Sequence, residues 1–311
     1  MTQKRYKYLF GPVPSRRLGQ SLGVDIIPFK TCTQNCIYCQ LGKDAKQTIE
    51  RRDYVPINAV LEELRQKIEE GLRADYITIS GSGEPTLHIH LGQLIDGIRQ
   101  LTQIPIAVIT NGTLFSRSDV RADCCKADVV LPSLDAGDED TFKKINLPHK
   151  QLDFAVFVEG LMQFRREYTG QFWLEVFLCE GINTDETALS NLKRWIDTIN
   201  PDKIQINTSV RPVTHPQAVR VPLGKLEQIA RFFGPHAEVI ADYSKHSSQD
   251  TIIPDEEYIL KTLQRRPCSL DDLCRGLGLA AEAIQSALDN LLASRKISCD
   301  EQHGKKFYTA N

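Results

Sequence analysis

Three cysteines fall within eight residues, Cys32-Thr33-Gln34-Asn35-Cys36-Ile37-Tyr38-Cys39, at C-x3-C-x2-C spacing. So short a loop can turn three thiolates onto one compact metal centre, and the fold must present it. A 4Fe–4S cluster normally takes four cysteines, so three leave one iron open to another ligand. Zinc, with its fourth ligand from elsewhere, is a competing occupant. Three ordinary core thiols are the remaining reading. Cys124, Cys125, Cys179, Cys268, Cys274 and Cys299 are scattered, which is no disulfide framework for a chain of 311 residues.

Around the loop, apolar runs of strand length alternate with stretches of helical period. Strands are expected at Ser21–Pro28, Tyr76–Ser80, Ile104–Thr110, Asp128–Leu134, Phe172–Leu178 and Lys203–Asn207, with a further short one at Glu238–Ile240. Helices are expected at 56–72, 90–102, 117–125, 151–167, 185–199 and 223–234. Such alternation predicts an α/β fold with a parallel sheet and right-handed crossovers. Gly11-Pro12-Val13-Pro14-Ser15 reads as turn chemistry, so the N-terminal arm is expected to be irregular.

In parallel α/β barrels, chemistry gathers where strands end. Ser80-Gly81-Ser82-Gly83-Glu84-Pro85 follows the second strand, and its glycines let backbone approach a ligand closely. Asn111-Gly112 ends the third strand, Ser133 and Asp135 the fourth, and Asn207 with Arg211 follow the sixth. Glu175 lies on the fifth strand and, if buried, needs a partner such as Arg211 or a ligand amine. Residues 1–30 carry six basic side chains against Asp25 alone, and Arg16 or Arg17 can meet a carboxylate or phosphate. His88 and His90 lack a third ligand and read as a solvated loop.

The cysteine loop with an aromatic before its last Cys, together with Leu9–Asp25, Ser80–Leu87 and Ser133–Asp135, resembles the radical S-adenosylmethionine (SAM) superfamily. More narrowly it resembles the bacterial Fe–S oxidoreductase-like proteins grouped with the wyosine tRNA-modifying synthetases. The resemblance implies a partial (β/α)6 TIM barrel over residues 1–240, with Cys32, Cys36 and Cys39 as ligands of a 4Fe–4S cluster. It implies SAM as second cofactor, Tyr38 near the adenine, and a SAM site of Ser80, Gly81, Gly83, Glu84, Pro85, Asn111, Ser133, Asp135, Asn207 and Arg211. Glu84 would face the SAM amino group. An external one-electron donor of ferredoxin or flavodoxin type would drive reductive SAM cleavage and hydrogen abstraction from a substrate. The wyosine enzymes carry a second cluster on additional N-terminal cysteines, and no cysteine precedes Cys32 here, so tricyclic-base synthesis is not expected.

Residues 241–253 are polar and read as a linker. Residues 254–311 read as helix, helix–turn–helix and hairpin, the order of a winged helix, with Ser269 as N-cap and Gln302-His303-Gly304 as the wing turn. Duplex DNA is not the expected partner. The segment carries eight Lys/Arg against nine Asp/Glu, and 281–293, the recognition-helix position, offers Glu282 and Asp289 with no basic residue. Duplex binding needs phosphate neutralisation. With no apolar run of membrane length and no signal-peptide pattern, a cytoplasmic setting is expected. Three functions stay open: an enzyme acting on tRNA or another nucleotide, an enzyme modifying a peptide or metabolite with the winged helix as grip, and an Fe–S redox regulator.

Overall fold

The computed structural model describes residues 6–41, 44–209, 215–240, 256–265, 267–277, 281–302 and 304–311. In chain order the first unit runs β1 (Leu9–Ser15), β2 (Gly19–Val24), β3 (Thr31–Cys32), β4 (Lys46–Gln47), α1 (Ile57–Glu69), β5 (Tyr76–Ile79), α2 (Leu91–Leu101), β6 (Ile106–Thr110), α3 (Ser118–Cys124) and β7 (Val129–Pro132). It continues with α4 (Glu139–Ile145), α5 (Phe154–Glu167), β8 (Gln171–Leu178), α6 (Glu186–Ile199), β9 (Lys203–Thr208), α7 (Leu223–Phe233) and β10 (Ala237–Val239).

One sheet carries the unit, in the order β1-β2-β5-β6-β7-β8-β9-β10. From β2 to β10 every pairing is parallel. β1 and β10 are its two ends and do not pair, so the barrel is open. Side chains alternate across the strands. Phe172, Leu174 and Val176 of β8 enter the main core under the helices. Trp173, between them, joins Leu18, Ala107, Val129 and Leu131 in a smaller cluster of its own. β8 is buried from Phe172 onward, as a strand covered on both faces must be.

The N-terminal arm departs from expectation. Leu9–Ser15 is a strand, antiparallel to β2, with a shift of register between Phe10 and Val13. Its prolines mask the strand in the sequence, but an edge strand tolerates Pro where a central one does not. Gly11 takes a φ of +97° at the irregularity, which favours glycine. A second departure is α4, seven residues long and capped by Asp138, whose side chain accepts from the Thr141 amide. It is too short to show a helical period, and its end leads directly to the cysteine loop.

The second unit comprises α8 (Glu256–Arg265), α9 (Leu270–Leu277), α10 (Ala281–Ala293) and the hairpin β11 (Ile297–Gln302) with β12 (Lys305–Ala310), a winged helix. Ser269 and Asp272 cap α9 reciprocally, each side chain accepting from the other's backbone amide at 3.1 Å. Ile259, Leu263, Leu273, Ile284, Leu288 and Leu291 pack with Tyr308 into a core separate from that of the barrel. α9 packs beside β1. The expected linker at 241–253 and the wing residue His303 lie outside the described residues. Among the described residues no helix is long and apolar enough to cross a membrane.

Two cores make a separable prediction. Leu288 is fully buried in the second core, so Leu288→Ala is expected to cost that unit about 2–5 kcal/mol. Both tryptophans, Trp173 and Trp195, lie in the barrel. Their fluorescence transition should therefore stay in place while far-UV circular dichroism gains an earlier step. Equal shifts in both signals would mean that the two cores melt as one.

Candidate active site

The cysteine loop has little regular structure, so its position comes from what its backbone bonds to. Asn35 donates its amide to the Asn146 and Leu147 carbonyls at 3.1 Å, and Ile37 donates to Ile145 at 3.0 Å. His149 returns a bond to the Thr33 carbonyl at 2.9 Å, and Gln34 pairs with Pro148. The run after α4 thus acts as a splint along the loop. From the other side, Asn111 Nδ2 donates to Thr33 Oγ1 at 2.7 Å, and Thr33 Oγ1 meets Thr113 Oγ1 at 2.8 Å.

Two side-chain amides point at sulfur: Asn111 Nδ2 at Cys32 Sγ and Asn146 Nδ2 at Cys36 Sγ, each at 3.5 Å. Burial, then the Glu84 carboxylate, pushes the Cys32 thiol up to about 12. Burial and Asp135 push Cys36 well above its ordinary range. Without a cation these groups stay protonated, and a bound metal deprotonates them. Three unpaired thiols in one loop, with amide donors on two of them, are a donor set that fits an iron–sulfur cluster. Among the described residues no group of three or more His, Cys, Asp or Glu stands in ready metal-binding geometry, so the loop itself would have to gather its sulfurs around the metal.

Glu84, the acidic residue of the β5 end, is turned inward. Its Oε1 accepts from Thr86 N at 3.0 Å and from the Thr86 and Thr110 hydroxyls at 2.6 Å, and its Oε2 accepts from Asn111 N at 2.7 Å. Burial raises its pKa against these bonds. The carboxylate ties the β5 end to the β6 end. The adjacent Gly83 has no room for a side chain, because a Cβ would strike the Thr31 carbonyl and Ile27. Gly81, at φ +148°, lies against the Asp25 carboxylate, which accepts from Ser82 N at 3.1 Å.

Asp135 is also a strut. Its Oδ1 accepts from Phe177 N at 2.8 Å, and its Oδ2 accepts from Asn146 Nδ2 at 2.7 Å and from the Tyr38 hydroxyl. Tyr38 stacks on Phe177 with ring centroids 3.8 Å apart. Burial lifts the Asp135 carboxyl from 3.8 to about 6.

Beside these groups opens a cavity of about 380 Å³, within the size range of small-molecule sites. Tyr38, Cys39, Ser80, Gly81, Gly83 and Phe177 line one part of its wall. Phe10, Val13, Arg16, Arg17, Glu175 and Asn207 line another, and Thr262 of α8 joins them from the winged helix. Glu175 accepts from Arg17 Nη1 at 2.8 Å and from Asn207 Nδ2 at 2.9 Å. Arg16 Nη1 donates to Asn207 Oδ1 at 3.2 Å and to the Ile240 carbonyl at 3.3 Å.

Of the residues expected at a cofactor site, Tyr38, Ser80, Gly81, Gly83 and Asn207 line the cavity, whereas Glu84, Pro85, Asn111, Ser133 and Asp135 do not. Pro85 starts a buried 3-10 turn and Ser133 bridges to Glu175. Arg211 lies outside the described residues. The cationic partner of Glu175 among the described residues is Arg17, from the N-terminal hairpin. Asn146, Phe177 and Thr262 carried no sequence signal, since no local motif surrounds them. His88 is fully buried rather than solvated, because it is stitched to backbone: Nδ1 accepts from His90 N at 3.1 Å and Nε2 lies 3.1 Å from the Val55 carbonyl.

Two outcomes are expected from this geometry. Gly83→Ala should drive Thr31–Cys32 off position and lower iron uptake, measured as iron per chain after anaerobic reconstitution; full uptake would show that the collision relaxes elsewhere. Asp135 binds protons more tightly folded than unfolded, so its contribution to stability falls as pH rises from 3.8 to about 6 and is level above that. Asp135→Asn should remove that slope from the pH profile of urea unfolding. It should also cost about 1–3 kcal/mol, since one amide cannot accept three hydrogen bonds.

Residues 26–188 match the radical SAM superfamily, and residues 244–292 match the DprA winged helix domain. A UPF0026 protein of Methanocaldococcus jannaschii is 32% identical over 311 residues, covering 97% of this chain and 95% of its own length. A Brachyspira hyodysenteriae protein named GTPase Obg is 37% identical over 308 residues; this chain spans 45% of its length. The S-adenosyl-L-methionine-dependent tRNA 4-demethylwyosine synthase of Pyrococcus abyssi is 24% identical over 164 residues, 46% of each chain. Among solved structures, TYW1 with a lysine-pyruvate adduct bound superposes with a TM-score of 0.55 at 20% identity, over 72% of this chain and 75% of that one. At that identity the likeness speaks for the fold. The family match spans the cysteine loop, both β-strand ends that brace it and most of the parallel sheet, so the chain belongs to the radical SAM superfamily and is a radical SAM enzyme carrying a C-terminal winged-helix domain.

Proposed function

We propose that the chain holds a 4Fe–4S cluster on Cys32, Cys36 and Cys39, binds SAM in the adjoining cavity, and abstracts hydrogen from a nucleotide-containing substrate, with tRNA the leading candidate. The observation that carries this reading is a single cavity lined both by the cysteine loop, through Tyr38 and Cys39, and by the β5 end, through Ser80, Gly81 and Gly83. When bound, the two cofactors supply reductive cleavage of SAM, with the electron coming from a ferredoxin- or flavodoxin-type donor.

The chain's own residues do the positioning. The splint at 145–149 and the Asn111 side chain hold the loop at the cavity edge. The Asn111 and Asn146 amides donate to the sulfurs of Cys32 and Cys36, which lowers the electron density on a bound cluster. Gly81 and Gly83 line the cavity without side chains, so a ligand can approach their backbone closely. Tyr38, fixed by Asp135 and stacked on Phe177, offers a flat apolar surface to a purine ring.

A tRNA or nucleotide substrate is supported by the relative named as a tRNA 4-demethylwyosine synthase. Residues 1–31 carry no cysteine, so the proposal places no second cluster on them.

Anaerobic reconstitution is expected to load about four irons per chain, and Cys32→Ala, Cys36→Ala or Cys39→Ala to abolish loading, while Cys124→Ala and Cys179→Ala leave it intact. With dithionite and SAM the loaded protein should release 5′-deoxyadenosine. Mass spectrometry of tRNA nucleosides from a deletion strain should then reveal a missing or precursor nucleoside. Stoichiometric zinc that iron cannot replace would reject the cofactor assignment, and an unchanged nucleoside profile would reject the substrate class.

A further inference from the structure

The superfamily match covers residues 26–188, and the cysteine loop and the β5 end lie inside it. Arg16, Arg17, Asn207 and Thr262 of the same cavity lie outside it. That part of the wall falls outside the stretch matched to the superfamily, and its chemistry bears on what the chain takes as substrate.

Arg17 sits at the turn between β1 and β2, with its amide bonded to Ser15 Oγ at 3.2 Å. Its guanidinium meets one partner among the described residues, Glu175, and uses only Nη1 for it. Nε and Nη2 are left with no described partner on a side chain that is only 16% exposed and lines the cavity. Glu175 is itself fixed at its other oxygen by Asn207 at 2.9 Å, so the guanidinium plane is held in advance rather than free to turn. A guanidinium edge presenting Nε–H and Nη2–H matches the two oxygens of a carboxylate or phosphate. Among the carboxylates beside the wall, Glu84 accepts four internal hydrogen bonds, Asp135 three, and Asp25, which lies against Gly81, accepts from Ser82 N.

The geometry points to an oxyanion subsite: Arg17, held in place by Glu175, binds a phosphate or carboxylate group of the substrate. This deepens the reading of the same cavity as a SAM and substrate site and names the charged handle by which the substrate is held. The alternative source of an oxyanion in that cavity is the carboxylate of SAM, and the experiment separates the two.

The anaerobically reconstituted full chain, the Arg17→Gln variant and the Arg17→Met/Glu175→Gln double variant are compared. The double variant removes the charge without leaving Glu175 unpaired, so it separates loss of a ligand contact from loss of the fold. Two readouts are used. One is thermal stabilisation by inorganic phosphate or malonate at fixed ionic strength. The other is equilibrium binding of SAM beside 5′-methylthioadenosine, which lacks the carboxylate. The expected result is phosphate- or malonate-dependent stabilisation of the parent, weakened about tenfold or more in apparent affinity in both variants, with SAM binding unchanged. A parent that neither anion stabilises overturns the proposal. So does a SAM affinity that falls in both variants while methylthioadenosine binding holds, because Arg17 then reads the SAM carboxylate. Failure of the parent to bind SAM at all would reject the cofactor reading instead, and the anion titration, run on the unloaded chain, would still decide for or against the subsite.

Discussion

The cysteine loop cannot place itself. Cys32 to Cys39 make almost no regular structure, so three thiols can sit at a cavity edge only if something else fixes their backbone. That is done by amides given to residues 145–147 and taken from His149, by Asn111 at Thr33, and by Asn146 between Cys36 and Asp135. Buried backbone groups must find partners, so the loop and the run after α4 satisfy each other. The buried acids serve the same frame. Glu84 locks the β5 end to the β6 end, and Asp135 locks Tyr38 to β8 through the Phe177 amide. Each is ringed by neutral donors, and burial raises the pKa of both. They are costly as anions, and that cost is tolerable because the hydrogen bonds replace the lost solvation.

Period and spacing carried much of the fold into view. The parallel strands announce themselves as β-branched runs between helical periods, and the winged helix follows from the Ser269 cap and the apolar face of 284–292. What stayed hidden was hidden for physical reasons. Leu9–Ser15 contains two prolines and a glycine, and only its place at the sheet edge makes it a strand. α4 has two turns and no measurable period, yet its end positions the whole loop. The Arg17–Glu175 pair spans 158 residues, and no local pattern signals such a contact.

Site residues divide along the same line. Motif positions with small or aromatic side chains, Ser80, Gly81, Gly83 and Tyr38, line the cavity, whereas the acidic and amide positions beside them, Glu84, Asp135 and Asn111, stand behind its wall. A sequence shows that a carboxylate lies at a strand end, but not whether it faces a ligand or is consumed by neighbouring amides. Counting the donors within reach decides that. Glu84 has four bonds and none to spare, while Glu175 has an arginine partner and an open cavity beside it.

A duplex-binding winged helix needs cations on its third helix, and here the exposed face of α10 carries Glu282 and Asp289. Its first two helices instead meet the barrel, α9 beside β1 and α8 through Thr262 on the cavity wall. β1 belongs to the same hairpin that delivers Arg16 and Arg17. The domain therefore backs the one strand of the sheet that runs antiparallel to its neighbour, and that strand leads into the arginine part of the cavity. Thr262 of the winged helix thus shares the cavity wall with the hairpin that carries Arg16 and Arg17, while Glu282 and Asp289 of α10 face solvent.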